Sequence, residues 1–114
     1  MKKNKALSEN YLEKTPLRNP IINWSIKDGI VTLEIENTGF FNHMAQKLLH
    51  KPKISYVHLD TTGSFVWPLI DGSTNILSLG EKVKEHFGDE AEPLYERLAK
   101  FFQILESYNF ISFN

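Results

Sequence analysis

Four histidines, His43, His50, His58 and His86, are the residues of this 114-residue chain best suited to acid–base or metal chemistry. Their spacing does not assemble them. None lies in an H-x-x-x-H or H-E-x-x-H pattern, where two imidazoles four apart on one helix face hold a metal. His43 and His50, seven apart, can share a helix face, yet no carboxylate lies between them. Ser64 lacks the G-x-S-x-G turn that exposes a nucleophilic serine. Gly63 and Gly72 do not form a phosphate loop. Asp60 and Asp71 flank a candidate helix, where capping and turn formation account for them. The chain has no cysteine, which excludes a disulfide framework, a thiolate zinc site, an iron–sulfur cluster and a cysteine nucleophile. No catalytic residue, metal ligand or cofactor is expected, and the protein is not read as an enzyme. A function carried by surface shape is the reading these residues leave.

The elements around them come from one core. Hydrophobic residues make up 41% of the chain and aromatics 12%, a globular composition. The N-terminal MKKNKALSEN is basic but has no apolar stretch behind it, unlike a secretory signal. The longest near-apolar run, Phe65 to Ile70, is far short of a membrane span and contains Pro68. A soluble, cytoplasmic, single-domain protein is therefore expected. The formal charge of -1 hides an asymmetry. Residues 1–18 carry Lys2, Lys3, Lys5, Lys14 and Arg18 against Glu9 and Glu13, whereas acidic residues outnumber basic ones beyond residue 73. A duplex-DNA reader needs cations where its recognition helix lies. The acidic helical half argues against nucleic acid as a partner.

Residues 1–15 have no period and read as a basic tail or loose helix, extended to residue 18, with one domain over residues 19–114. Ile21–Ile26 is a strand candidate. Asp28-Gly29 between β-rich runs signals a hairpin. Ile30–Glu36 alternates, with Val31, Leu33 and Ile35 on one face. Phe40, Met44 and Leu48 suggest a helix over about residues 39–51, ended by Pro52. Ile54–Leu59 is a third strand, with Ser55, Val57 and Leu59 on one side and Ile54, Tyr56 and His58 on the other. The period then changes. A helix from Asp60 or Thr61 to about Ile70 would bury Phe65, Val66, Leu69 and Ile70, with Trp67 as an anchor and Pro68 as a kink. Ile76–Phe87 is a second helix, closed by Gly88. Asp89–Tyr108 reads as one long helix with Pro93 in its first turn and a stripe of Leu94, Leu98, Phe101, Phe102 and Leu105. Asn109 ends it, and Phe110–Phe113 is extended.

The run Leu59-Asp60-Thr61-Thr62-Gly63-Ser64-Phe65-Val66-Trp67-Pro68-Leu69-Ile70-Asp71-Gly72 resembles the L-D-x-x-G-x-x-V-W-x-x-I-D-G signature of the PqqD-like family. Phe87-Gly88, Glu92 to Leu98 and Phe110-Ile111 extend the resemblance, which covers about residues 20–113. It implies an α+β, winged helix-turn-helix-like fold: a three-stranded antiparallel sheet followed by three helices. Here a helical insertion over 39–51 separates the second and third strands. The resemblance also implies a non-catalytic RiPP recognition element. Such a peptide chaperone binds the leader segment of a ribosomally made precursor peptide as an added strand. It presents the peptide to a modifying enzyme, often a radical SAM protein.

The residues agree with a peptide groove. An edge strand offers unpaired N–H and C=O groups to an extended peptide. Lys53, Ile54, Ser55, Tyr56 and Val57 are the expected edge, and Tyr95, Leu98 and Phe102 of the last helix are the expected wall. Lys51, Lys53, Arg97 and Lys100 are candidate partners for acidic peptide residues. A winged-helix DNA-binding regulator and a small accessory domain that dimerises through the edge strand are the alternatives.

Overall fold

The structure, a computed structural model, describes residues 9–37 and 53–114. Along the chain these form α1 (Glu9–Leu12), β1 (Pro16–Arg18), β2 (Asn23–Lys27), β3 (Ile30–Asn37), β4 (Lys53–His58), α2 (Thr61–Val66), α3 (Ile76–Phe87), α4 (Leu94–Ser107) and β5 (Ile111–Phe113). The helix expected over 39–51 lies outside the described residues.

Asp28 and Gly29 take φ of 53° and 79°, the pattern of a type I′ turn, whose twist matches that of the strands it joins. The turn sets β2 against β3 with Lys27 opposite Ile30 and Trp24 opposite Leu33. β4 pairs antiparallel with the other side of β3, Val57 opposite Leu33 and Tyr56 opposite Glu34. The order of this sheet is β2-β3-β4. Alternation sends Val31 and Leu33 into the core, both fully buried, with Ile35, Val57 and Leu59 packed beside them. The fold is α+β, three antiparallel strands and three helices in a winged-helix-like arrangement.

Two expected helices are broken, both by proline. The first ends as an α-helix at Val66 and continues as a 3₁₀ turn over Trp67–Leu69, with Pro68 at its start. A proline removes one helical donor and its ring crowds the preceding turn, and the tighter 3₁₀ turn accommodates it. The change of pitch turns Trp67 inward, so that it is fully buried beside Val66 and Ile70, while Phe65 and Leu69 are half-buried. The expected 89–108 helix is a 3₁₀ turn over Gly88–Ala91, an extended Glu92 and then α4. A residue before proline is disfavoured in the helical region, and Glu92 has ψ of 144°. Leu94, Leu98, Phe102 and Leu105 of α4 are buried. α3 holds its expected bounds, with Asn75 Oδ1 accepting the capping hydrogen bond from Ser78 N at 2.9 Å.

Part of the span read as a tail is built into the fold. β1 pairs antiparallel with β5, Leu17 opposite Ser112, in a separate two-stranded sheet. Lys14 O accepts from Ile76 N at 3.0 Å, and Pro16 O accepts from Gly72 N at 3.0 Å. The Tyr11 ring stands edge-on to Phe113 at 5.8 Å, with Lys14 Nζ over both rings. Burial, with the Glu106 carboxylate adding to it, pushes the Tyr11 hydroxyl up to about 12 from 10.0. The native state therefore keeps this proton after the unfolded chain begins to lose it. Its contribution is full below pH about 10 and is lost as pH rises toward about 12. Urea midpoints measured across this window are expected to fall, and Tyr11→Phe, which cannot ionise, is expected to flatten the decline.

Ser64 is nearly fully buried, at 1% exposure, and replaces a rung of the sheet. Val31 and Leu59 face each other at the end of the β3–β4 ladder, and Leu59 N donates to Val31 O at 2.9 Å. The return bond runs through the serine instead. Val31 N donates to Ser64 Oγ at 2.8 Å, and Ser64 Oγ donates to Leu59 O at 3.2 Å. The hydroxyl thus stitches α2 to the sheet. Ser64→Ala leaves the Val31 N–H and Leu59 carbonyl without this partner, and is expected to lower stability by about 1–3 kcal/mol in urea unfolding.

Candidate functional site

The Leu59–Val31 hydrogen bond fixes which backbone groups of β4 face outward. Antiparallel pairs alternate between bonded and non-bonded. With Val31 and Leu59 a bonded pair, Leu33–Val57, Ile35–Ser55 and Asn37–Lys53 are bonded too. Lys53, Ser55 and Val57 therefore spend their backbone groups on β3. The N–H and C=O groups of Ile54, Tyr56 and His58 point to the other side of β4, where no strand is paired among the described residues.

Side chains follow the same alternation. Ile54 and Tyr56 stand on the outer face of the sheet, 37% and 61% exposed. His58 is also on that face, its Nδ1 2.8 Å from Thr32 Oγ1. Val57 points inward and packs on the core. Ser55 takes part in an interaction within the chain. The side chain of Lys53 lies outside the described residues.

Leu98 and Phe102 are 2% and 0% exposed and form core, not surface. Tyr95 lies on the flank of α4 that rests on α3. Its ring covers Gly80, and its hydroxyl points to Leu77 O at 3.5 Å. Leu98 and Phe102 thus pack in the core, and Tyr95 packs against α3. The opposite flank of α4 carries Phe101, whose ring lies over Gly63, where a Cβ would come within 2.9 Å of it. Gly63 is in the first turn of α2, directly after β4, and donates its N–H to Asp60 Oδ1 at 2.8 Å. Ile104 and Tyr108 continue the Phe101 flank at helical spacing, 49% and 66% exposed. Through Phe101, this half-exposed apolar row adjoins the first turn of α2. The glycine of the L-D-x-x-G run is its sequence signal, because only a residue without a Cβ admits the Phe101 ring so closely.

Arg97 Nη1 donates to Glu90 O and Ala91 O at 3.1 and 3.3 Å, which holds the side chain against the 3₁₀ turn before α4. Lys100 is exposed. Lys51, His43 and His50 lie outside the described residues. His86 stacks on Phe65 with centroids 4.4 Å apart. Among the described residues no group of three or more His, Cys, Asp or Glu could hold a metal ion. No helix among them is long and apolar enough to cross a membrane.

The fold and its open edge define a small winged-helix-like α+β domain with a strand available for pairing. The chain matches the family model for Coenzyme PQQ synthesis protein D (PqqD) over residues 46–111. It belongs to that family, whose members are accessory proteins of PQQ synthesis with a peptide-binding role. The matched span includes β4, all of α2, α3 and α4, and the start of β5. Comparison with curated proteins and with solved structures gave no match.

Proposed function

We propose that the chain captures the leader segment of a ribosomally made precursor peptide by strand addition to β4 and presents it to a peptide-modifying enzyme of the radical SAM class. The protein itself performs no chemistry in this reading. The observation that carries it is the outward direction of the Ile54, Tyr56 and His58 backbone groups at an edge of the sheet. Main-chain hydrogen bonds supply affinity in such a complex, and pockets for alternate side chains supply specificity. Phe101, Ile104 and Tyr108 offer the apolar wall. Leu98 and Phe102 act as the rigid backing behind it. The domain extends from about residue 9, because β1 and the residues before it pack into the fold. The basic residues ahead of it lie outside the described residues, and the protein works in the cytoplasm, where precursor peptides are made.

The test is a titration of fluorescein-labelled leader peptide, taken from the precursor encoded beside this chain's gene, followed by anisotropy. Micromolar or tighter binding is expected. No binding at tenfold higher concentration, or assembly of the protein into dimers through β4 instead, contradicts the proposal.

A further inference from the structure

The sheet has a second edge. β2 is its other outer strand. The bonded pairs on the β4 side of β3 leave Thr32 and Glu34 to bond toward β2, and hence Ser25 and Asn23 to bond toward β3. Trp24 and Ile26 then direct their N–H and C=O groups outward, and no strand pairs with them among the described residues.

Beside this edge lies a cleft of about 270 Å³, lined by Leu17, Arg18, Pro20, Ile22, Trp24 and Ile70 together with Asn19 and Asp71. It is preformed. Asn19 N donates to Phe110 O at 3.0 Å, Asn19 Nδ2 donates to Asn109 O at 2.8 Å, and Ile22 N donates to Asn19 O at 3.1 Å. Ile21, between the lining residues Pro20 and Ile22 in the chain, is 83% exposed, the most exposed large apolar side chain among the described residues. Leu17 and Ile26 add 37% and 53%.

The cleft has a cation with spare capacity. Arg18 lies with Cζ 5.2 Å from the Trp24 ring centroid. Its Nη1 donates to Trp67 O and Pro68 O, each at 3.1 Å. Nη2 and Nε have no acceptor among the described residues, although a guanidinium carries donors on all three nitrogens. Asp71 does not neutralise it. Oδ1 of Asp71 accepts from Ser73 N and Thr74 N, Oδ2 accepts from the Thr74 hydroxyl, and no ion pair joins Asp71 to Arg18. A half-buried guanidinium with unmet donors calls for a carboxylate.

We propose that β2 and this cleft form a second docking surface, which takes an extended segment of the peptide-modifying enzyme carrying a large apolar residue two positions from an acidic one. Strand alternation points both of those side chains to the cleft side, the apolar one toward Ile22 and Trp24 and the acid toward Arg18. That the partner is the modifying enzyme rests on the function proposed above. The surface and the chemistry it selects do not. The two edges lie on opposite sides of one sheet, so leader and enzyme bind without competing.

The test uses the ¹⁵N-labelled full chain and three acetylated nine-residue threonine-rich peptides, with Phe-Thr-Glu, Phe-Thr-Lys or Phe-Glu-Thr at the centre. The Phe-Thr-Glu peptide is expected to shift the Trp24 and Ile26 amides, and the other two to shift them at least tenfold more weakly. Ile26→Pro, which removes an outward N–H at an edge position where proline is tolerated, is expected to abolish the effect. Arg18→Gln is expected to weaken it about tenfold. Because Arg18 also holds two carbonyls, Ile21→Asp serves as a second variant: fully surface-placed, it should repel the Phe-Thr-Glu peptide while the spectrum stays folded. Unmoved Trp24 and Ile26 amides, or equal shifts with the lysine peptide, overturn the proposal. The leader peptide, titrated in parallel, reads out at Ile54 and Tyr56. Its failure alone overturns the earlier reading and leaves this one standing.

Discussion

Trp67→Ala is expected to destabilise the domain by about 3–5 kcal/mol, the usual range for deleting a buried indole or phenyl ring. Trp67 is 0% exposed, and Trp24 stands edge-on to it at 6.4 Å. The 3₁₀ turn that carries it is tied down from outside, since Arg18 holds the Trp67 and Pro68 carbonyls. The backbone is therefore poorly placed to collapse into the space the indole vacates. Domains of this size are stable by about 5–15 kcal/mol, so the loss removes about a fifth of the total or more. Equilibrium urea unfolding followed by circular dichroism is the check. Trp67→Phe, which keeps most of the ring, is expected to recover more than half of the loss. The indole Nε1 has no hydrogen-bond partner among the described residues, so the phenyl variant forfeits no hydrogen bond. A loss below about 1 kcal/mol for the alanine variant would mean that Trp67 is not the core anchor its burial makes it.

Tyr56→Pro is expected to reduce leader affinity by at least tenfold, about 1.4 kcal/mol, with little change in the melting temperature. The Tyr56 N–H points away from β3, so the ladder keeps all its bonds when proline removes that donor. Proline is accepted on an edge strand when its missing N–H faces solvent. An incoming peptide loses one main-chain bond and meets the pyrrolidine ring at the centre of the new strand. Val57→Pro is the contrasting variant. Val57 bonds to Leu33, so proline there breaks the sheet itself and lowers stability before binding is tested. Tyr56→Thr retains the N–H and removes the exposed ring, and it separates main-chain from side-chain contributions. Binding unchanged in Tyr56→Pro would place the peptide away from β4.

The elements were legible where one local rule dominates. Asp28-Gly29 specifies its hairpin through positive φ, and Ile76–Phe87 combines a clean apolar stripe with a cap at each end. Pro68 and Pro93 were visible as disturbances, but whether proline kinks a helix, tightens it to 3₁₀ or breaks it is decided by packing. At Pro68 the burial of Trp67 decides; at Pro93 the extended Glu92 does. The β1–β5 pair was not legible, because three residues offer no alternation and the partners are nearly a hundred positions apart. At the site, the edge strand was readable from order and alternation. The wall was not. Tyr95 and Phe101 sit on opposite flanks of one apolar stripe, and the stripe alone does not say which flank adjoins α2. Gly80 and Gly63 hold that information, as the two places where a ring presses on backbone, and it becomes readable only once the helices are docked.

Hydrogen exchange of the β4 amides with and without leader peptide tests the central claim most directly. Strand addition predicts that the N–H groups of Ile54, Tyr56 and His58 exchange rapidly in the free protein and slow by at least tenfold when the peptide is bound. Those of Ser55 and Val57, already bonded to β3, should be protected in both states. Protection that leaves Ile54, Tyr56 and His58 unchanged while the peptide is demonstrably bound would contradict strand addition at β4.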